Sequence, residues 1–455
     1  MKQLWGILFC LLCLASCRPQ VIPEIPLEEE TPAPDPDPDP QPEPQPEPVP
    51  ALQFAGPWED LYLGETTSAA CDITHGVTGK SYRIVYTSSD NNVASVSDDG
   101  TVLAKKAGIT TITARIEGTE VVLQRKYFVN DLAILKQPYS KDLIFFYGHT
   151  IYYKSVVQSW DFFDDLFYAC QVCGAPHTLS YTRKPVMSQN PQEYMHLKYF
   201  GHGDNMFVER APDGDYLWTS NYGTLEAGET NRYADSQVLS RVKFEPGKTM
   251  EPQYINDNYV IPGMKRLVAA YDAPNGNVGI WCRDGSGQAW FFVYPMQAMK
   301  DAPVESIKLT YSRTYGNPAV TDTPTVKARN LANITPVLKF KMPLSNVPQG
   351  YDFHHNRLYM MRGAGAEPED VAAGTGKNWA RIYMINPYSA RVVTQVDVPW
   401  VINLSLLKSE GFTDLGYFEP EGIKFKDGVI YLGFASKDAG SSPARRVNLF
   451  KYQLH

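Results

Sequence analysis

Apolar and polar residues alternate in short runs from about residue 51 onward. Tyr82-Arg83-Ile84-Val85-Tyr86 alternates, Thr87-Ser88-Ser89-Asp90 is a turn cluster, and Val93-Ala94-Ser95-Val96 follows. Asp98-Asp99-Gly100 predicts a tight turn into Thr101-Val102-Leu103-Ala104, and Ala107-Gly108 precedes Thr110-Thr111-Ile112-Thr113-Ala114-Arg115-Ile116. Period-two runs broken by Asp-Gly turns predict a small antiparallel sandwich over residues 51–130.

Residues 131–455 contain no long amphipathic helical pattern. They repeat a phrase instead: one or two turn residues, then a strand centred on an aromatic. It occurs around Gly148-His149-Thr150-Ile151-Tyr152, Asp213-Gly214-Asp215-Tyr216-Leu217-Trp218 and Gly285-Ser286-Gly287-Gln288-Ala289-Trp290. It returns at His355-Asn356-Arg357-Leu358-Tyr359 and Asp427-Gly428-Val429-Ile430-Tyr431. Between the markers Tyr152, Trp218, Trp290, Tyr359 and Tyr431 the intervals are 66, 72, 69 and 72 residues. A repeat of that length in an all-β region predicts a β-propeller, here of five four-stranded blades. A sixth blade requires a degenerate repeat within residues 300–340. The fold class is therefore all-β, an immunoglobulin-like sandwich followed by a propeller.

Charge separates the N-terminus from everything after it. The chain of 455 residues has a net charge of −8, but residues 1–50 carry nine acids against Lys2 and Arg18. The remaining residues hold 41 acids and 40 bases, which leaves no cationic excess for nucleic acid. The first fifty residues also hold 13 of the 35 prolines, including Asp35-Pro36-Asp37-Pro38-Asp39-Pro40. Alternate prolines lack donors and fix φ, so residues 18–50 form an extended acidic spacer, reaching ~3.1 Å per residue. Before it, Leu4 to Leu14 is an apolar stretch too short to span a bilayer comfortably, as expected of an export signal. The resulting division is 1–16 signal, 17–50 tether, 51–130 sandwich and 131–455 propeller.

The polar residues of greatest interest precede or open three predicted inner strands: Gly201-His202-Gly203-Asp204-Asn205, Gln349-Gly350-Tyr351-Asp352-Phe353 and Glu419-Pro420-Glu421-Gly422. Inner strands of a propeller line its channel, so His202, Asp204, Asn205, Asp352, His354, Glu419 and Glu421 are the candidate ligand-binding residues. Together they suit hydrogen bonding to a polymer, cation binding, or acid and base work on a glycoside. The competing reading is that each ties neighbouring blades together. Cys170-Gln171-Val172-Cys173 with His177 is three zinc ligands at most; a local disulfide or two packed thiols is the preferred reading. Trp160, Tyr222, Trp379 and Trp400 are candidate sugar-stacking loop residues, with core packing the preferred alternative. Residues 363–376, rich in glycine, predict a mobile rim loop. No Walker loop, HExxH, GxSxG or dinucleotide fingerprint occurs.

Three segments resemble known families. Leu14-Ala15-Ser16-Cys17 resembles the lipobox of bacterial lipoproteins, which implies cleavage before Cys17 and acylation of that residue. The stretches Tyr86–Asp90, Val93–Val96, Gly100–Val102 and Ala107–Ala114 are similar to the bacterial immunoglobulin-like domain, group 2, a spacer or adhesive module that brings no catalytic residues. Tyr199-Phe200-Gly201-His202-Gly203, Tyr216-Leu217-Trp218, Gln349-Gly350 and Glu419-Pro420-Glu421-Gly422-Ile423 resemble the helveticin J-like family and, more loosely, propellers of teichoic-acid metabolism. That likeness implies a propeller acting at cell envelopes. The family's usual bacteriocin setting has neither a lipid anchor nor an immunoglobulin-like domain, which argues against a toxin.

The expectation is a lipid-anchored envelope protein at the outer membrane, facing either the periplasm or the outside. Its partners are the membrane, through the lipid, and a glycan or envelope polymer, with no nucleic acid. A binding or adhesion role is preferred. A glycan hydrolase or lyase using the His and carboxylates is the first alternative, and a protein-assembly scaffold the second. No cofactor is named by any motif.

Overall fold

The computed structural model describes residues 48–57, 60–130, 137–173, 178–191, 193–229, 232–413, 415–437 and 445–453. The signal, Cys17, all but the end of the tether, and His177 lie outside the described residues. Among the described residues no helix is long and apolar enough to cross a membrane.

The first folded region is a sandwich. One sheet runs in the order Leu61–Tyr62, Val122–Asn130, Gly108–Ile116, Ile84–Ser88, and faces a second of Thr66–Ser68, Thr101–Ala104 and Ala94–Val96. Alternation along Thr101–Ala104 turns Val102 and Ala104 inward, onto Ile112, Tyr127 and Val129. Gly100 makes the turn before that strand at φ +84°; a Cβ there would meet the Ala70 backbone at 2.8 Å.

Beyond residue 140 the chain makes five four-stranded antiparallel sheets. The first consists of Val157–Phe163, Leu166–Cys173, Thr178–Pro185 and Glu193–Lys198, and the second of Phe207–Ala211, Gly214–Asn221, Val238–Lys243 and Asn258–Val260. Lys265–Asp272, Asn277–Arg283, Ala289–Pro295 and Leu338–Lys341 form the third. Tyr351–His354, Arg357–Ala364, Trp379–Asn386 and Arg391–Asp397 form the fourth. The fifth joins the two ends of the region: Gly416–Lys426, Val429–Lys437 and Arg445–Tyr452 are completed on the outside by Ile144–Thr150. The leading strands touch in a closed cycle, first to second and so on to the fifth, which returns to the first. That cycle is a propeller.

Each seam of the ring has its own apolar core, so strands are buried on both faces. Trp218 and Tyr259 meet Ile280 and Phe292 between the second and third sheets, and Met361 and Ile382 meet Phe418 and Phe434 between the fourth and fifth. Polar ties cross every seam near the axis. Asp161 accepts the Val208 N–H at 2.7 Å, Asn205 donates to the Ala269 carbonyl at 2.8 Å, and Asp272 accepts from His355 and Asn356. Asp352 accepts the Phe425 N–H at 2.6 Å, and Lys426 donates to the Asp164 carbonyl at 2.7 Å.

The aromatic markers differ in phase. Trp218, Tyr359 and Tyr431 sit in second strands, but Trp290 is in the third strand of its sheet and Tyr152 lies in an exposed loop. The turn-then-aromatic phrase suits any hairpin with an apolar far strand, so it recurs at two hairpins of one sheet. Residues 300–340 make no further sheet of the ring. They add Val304–Lys308 and Thr325–Asn330 to the edge of the second sheet and supply the outer strand of the third.

The sandwich is fastened to the fourth sheet through Arg357, which is 2% exposed. Its Nε donates to Asn130 Oδ1 at 2.7 Å, its Nη2 to Asp60 Oδ1 at 3.0 Å, and its guanidinium lies 3.4 Å from the Phe128 ring centroid. Burial pushes Asp60 above the usual carboxylate value despite this cation, so removing the cation leaves a buried acid without its partner. Arg357→Ala is expected to cost about 3–5 kcal/mol in unfolding free energy, read from the denaturant midpoint. Arg357→Lys should recover only part of it, because one ammonium cannot make the forked contact.

Candidate functional site

Backbone irregularities mark one end of the ring. In the fifth sheet Pro420 faces Phe434 and Gly422 faces Gly433, so Glu421 is an extra residue with no cross-strand partner. The third sheet slips between Lys265 and Val268 with Arg266 at φ +57°, and the first slips between Val157 and Ser159. Such bulges re-aim side chains at the openings of barrels and rings. Gly422 and Gly433 admit the Trp160 indole beneath this end: a Cβ on either would overlap it.

The bulges and the preceding loop bring His202, Asp204, Glu419 and Glu421 together with three arginines. Arg266 grips Asp204 with both oxygens occupied, Nε to Oδ2 at 2.8 Å and Nη2 to Oδ1 at 2.9 Å. Burial alone would raise the Asp204 carboxyl, but Arg266 and His202 outweigh it and hold it below its ordinary value. Glu419 accepts from Gln349 Nε2 at 3.2 Å, and burial raises its pKa against the pull of Arg445. Glu421 is 3% exposed and has no hydrogen-bond partner among the described residues. Burial, then Glu419 and Asp204, push it well above the ordinary value, so it is a protonated carboxylic acid at neutral pH. His202 Nδ1 lies 3.3 Å from the Tyr233 carbonyl. A carbonyl only accepts, so Nδ1 carries the proton and a neutral His202 presents its Nε2 lone pair.

An aromatic wall stands beside His202. Tyr199 at φ +60° lies 5.9 Å from the Tyr233 ring and 5.6 Å from Tyr315, while the Arg313 guanidinium lies 3.8 Å from the Tyr315 centroid. Tyr199 and Tyr315 are half-buried; Tyr222 and Tyr233 are buried. Arg266, Arg445, Gln349, Tyr233 and Tyr315 escape a reading of the sequence, because they come from other strands and from hairpins between them.

Three of the seven candidates belong elsewhere. Asn205 is fully buried and bridges three sheets, donating to Ala269 and accepting from Tyr351 N. Asp352 accepts its neighbour Phe353 N–H at 3.0 Å besides that of Phe425, which makes it a tie between the fourth and fifth sheets. His354 stacks on Phe425 at 3.9 Å, at the far end of its strand, in a cavity of about 590 Å³ shared with Phe128 and Asn130 of the sandwich. Inner strands run the length of the channel, so residues a few positions apart on one strand reach different ends.

Other expectations change as well. Cys170 and Cys173 are free thiols, as are Cys71 and Cys282, so the disulfide is not formed. Trp160 is fully buried in a first strand, Trp400 is buried under the fourth and fifth sheets, and Trp379 begins a strand. The glycine-rich segment at 363–376 is held down rather than free. It forms the helix Pro368–Ala373, Glu367 pairs with Lys437, and a Cβ on Gly365 would meet Glu419 at 2.9 Å. Among the described residues no three His, Cys, Asp or Glu side chains cluster to hold a metal ion.

Residues 68–119 match the family of bacterial Ig-like domains, group 2. The N-terminal sandwich is a bacterial Ig-like domain. No curated protein matches the chain. Among solved structures, the tail fiber of Staphylococcus aureus phage P68 is similar over 69% of this chain at 16% identity, with a TM-score of 0.43. The chain spans about half of that protein, 52% of its length. The WD40 domain of Toxoplasma gondii coronin is similar over 70% of this chain and 78% of its own, at 10% identity and a TM-score of 0.29. The alpha-L-arabinofuranosidase PaAbf62A from Podospora anserina is similar over 70% and 94%, at 10% identity and a TM-score of 0.28.

The reassignment of Asp352 has a pH signature. Burial raises it to about 7, with Asp161 adding to the shift and Lys424 opposing it. Its folded value lies above its unfolded one, so its contribution to stability is full below about pH 4 and is lost as pH rises to about 7. The stability of wild type relative to Asp352→Asn should therefore fall by up to about 4 kcal/mol over that interval and level off above it. Denaturant titrations of both proteins across pH check this.

Proposed function

We propose that this chain is a lipid-anchored protein of the bacterial cell envelope, held at the outer membrane through Cys17 and its proline-rich tether. The Ig-like domain serves as a spacer and orients a five-bladed propeller, whose mouth at His202, Asp204, Glu419 and Glu421 takes a glycan or envelope polymer. The observation that carries the reading is Glu421, a buried, protonated carboxyl without a hydrogen-bond partner among the described residues, presented by a bulge. Such a group both donates and accepts, and hydroxyls of a sugar supply what it lacks. The half-buried rings of Tyr199 and Tyr315 offer a face on which a pyranose can lie.

Binding is preferred to cleavage because the ionised carboxylate of the cluster, Asp204, has both oxygens committed to Arg266. Hydrolysis remains the second reading on one ground: a protonated Glu421 has the proton a leaving glycosidic oxygen requires. A glycan array probed with the chain from Arg18 onward, followed by product analysis of every hit, separates the readings. Binding without turnover is expected, weakened about ten- to a hundredfold by Glu421→Gln or His202→Ala. Released reducing ends would establish the enzyme instead, and no hit on any glycan would sink both and leave an assembly scaffold.

A further inference from the structure

The seam where the fifth sheet meets the first contains a second cavity, of about 460 Å³, lined in part by Tyr147, His149, Gln189, Phe412 and Thr413. The outer strand Ile144–Thr150 bulges there. Its register slips between Phe146 and His149, and Gly148 adopts φ +65°. The slip turns His149 inward to 2% exposure, stacked on Phe146 at 4.0 Å and 13°.

The proton on His149 can be placed. Lys184, 1% exposed, has its Nζ 3.0 Å from His149 Nδ1 and 2.6 Å from the Ser188 carbonyl. An ammonium only donates, so Nδ1 accepts and the proton sits on Nε2. Nε2 has no partner among the described residues, although the ring lines the cavity. Burial lowers His149 to about 4, Lys184 adding to the shift, and lowers Lys184 to about 8, so near neutrality the imidazole is neutral and the ammonium charged. No described carboxylate pairs with Lys184; its surroundings are the rings of Phe146 and Phe167 at 5.7 and 5.8 Å. A buried cation without a counter-charge is costly, and it leaves a positive potential at the cavity wall.

We propose that this cavity binds an acidic pyranose, with His149 Nε2–H donating to the ligand's carboxylate and the sugar ring lying against Tyr147. The carboxylate supplies the charge that Lys184 lacks, relayed through the imidazole. Tyr147 is 40% exposed and backed by Phe412 at 4.4 Å, which makes a flat apolar wall. Gln189 and Thr413 place an amide and a hydroxyl at the opening. The volume accommodates a mono- or disaccharide. The site is separate from the channel mouth and does not depend on its reading.

Titration calorimetry and saturation-transfer NMR on the chain from Arg18 onward, with glucuronate, glucose and acetate as probes, test it. Glucuronate should bind, with glucose and acetate each about tenfold weaker or more. His149→Leu should abolish the preference for glucuronate over glucose. Tyr147→Ala, at an exposed position, should weaken glucuronate binding without unfolding the protein, and serves if the His149 variant does not fold. No glucuronate binding up to about 10 mM, equal affinity for glucose, or equal affinity for acetate would overturn the proposal. So would loss of glucuronate binding in Glu421→Gln, which would place that ligand at the mouth.

Discussion

The ring turns on one buried cation. Lys424, almost wholly buried on the inner strand of the fifth sheet, donates at 2.6 Å to the carbonyl of Met206, which precedes the inner strand of the second sheet. It therefore reaches across the axis rather than along the ring. Asp161 of the first sheet and Asp352 of the fourth feel its charge, and each of those carboxylates accepts an N–H from the next sheet. Four of the five inner strands are thus tied to one ammonium and its surroundings. A buried charge persists only where its partners are fixed, so this centre sets how closely the sheets approach.

With the middle of the channel filled, only its ends offer surface to a ligand. One end carries the bulged strands and the cluster at Glu421; the other carries the His354 turn and the sandwich, locked by Arg357. The same residue types serve opposite purposes along a few ångströms of strand. Asp352 is satisfied by two backbone donors, Asp204 by a forked guanidinium, and Glu421 by nothing described. Burial raises the first and last, but only the last is left with its hydrogen-bonding capacity unused.

Much of the fold could be read from the sequence. Alternation at 101–104 and 110–116 marks strands with one buried face, and the repeat of about seventy residues reflects one sheet of the ring. The phase of the repeat was less legible. A turn followed by an aromatic describes the Asn275-Gly276 hairpin leading to Trp281 as well as the one leading to Trp290. The site was half legible for a related reason. Motifs before the inner strands point to His202, Asp204, Glu419 and Glu421, whereas Arg266, Arg445 and Tyr315 arrive through the ring's closure. Bulges decide which strand residue faces the opening, and no residue type announces a bulge.

At the centre of this account stands the claim that Glu421 is free of structural work and available to a ligand, unlike Asp352. Thermal unfolding of Glu421→Gln beside wild type at neutral pH tests it most directly, since glutamine is nearly isosteric with a protonated glutamate. The account predicts a Tm equal to or above that of wild type, because no protein hydrogen bond is lost. A fall of several degrees, as expected for a broken tie between sheets, would contradict it.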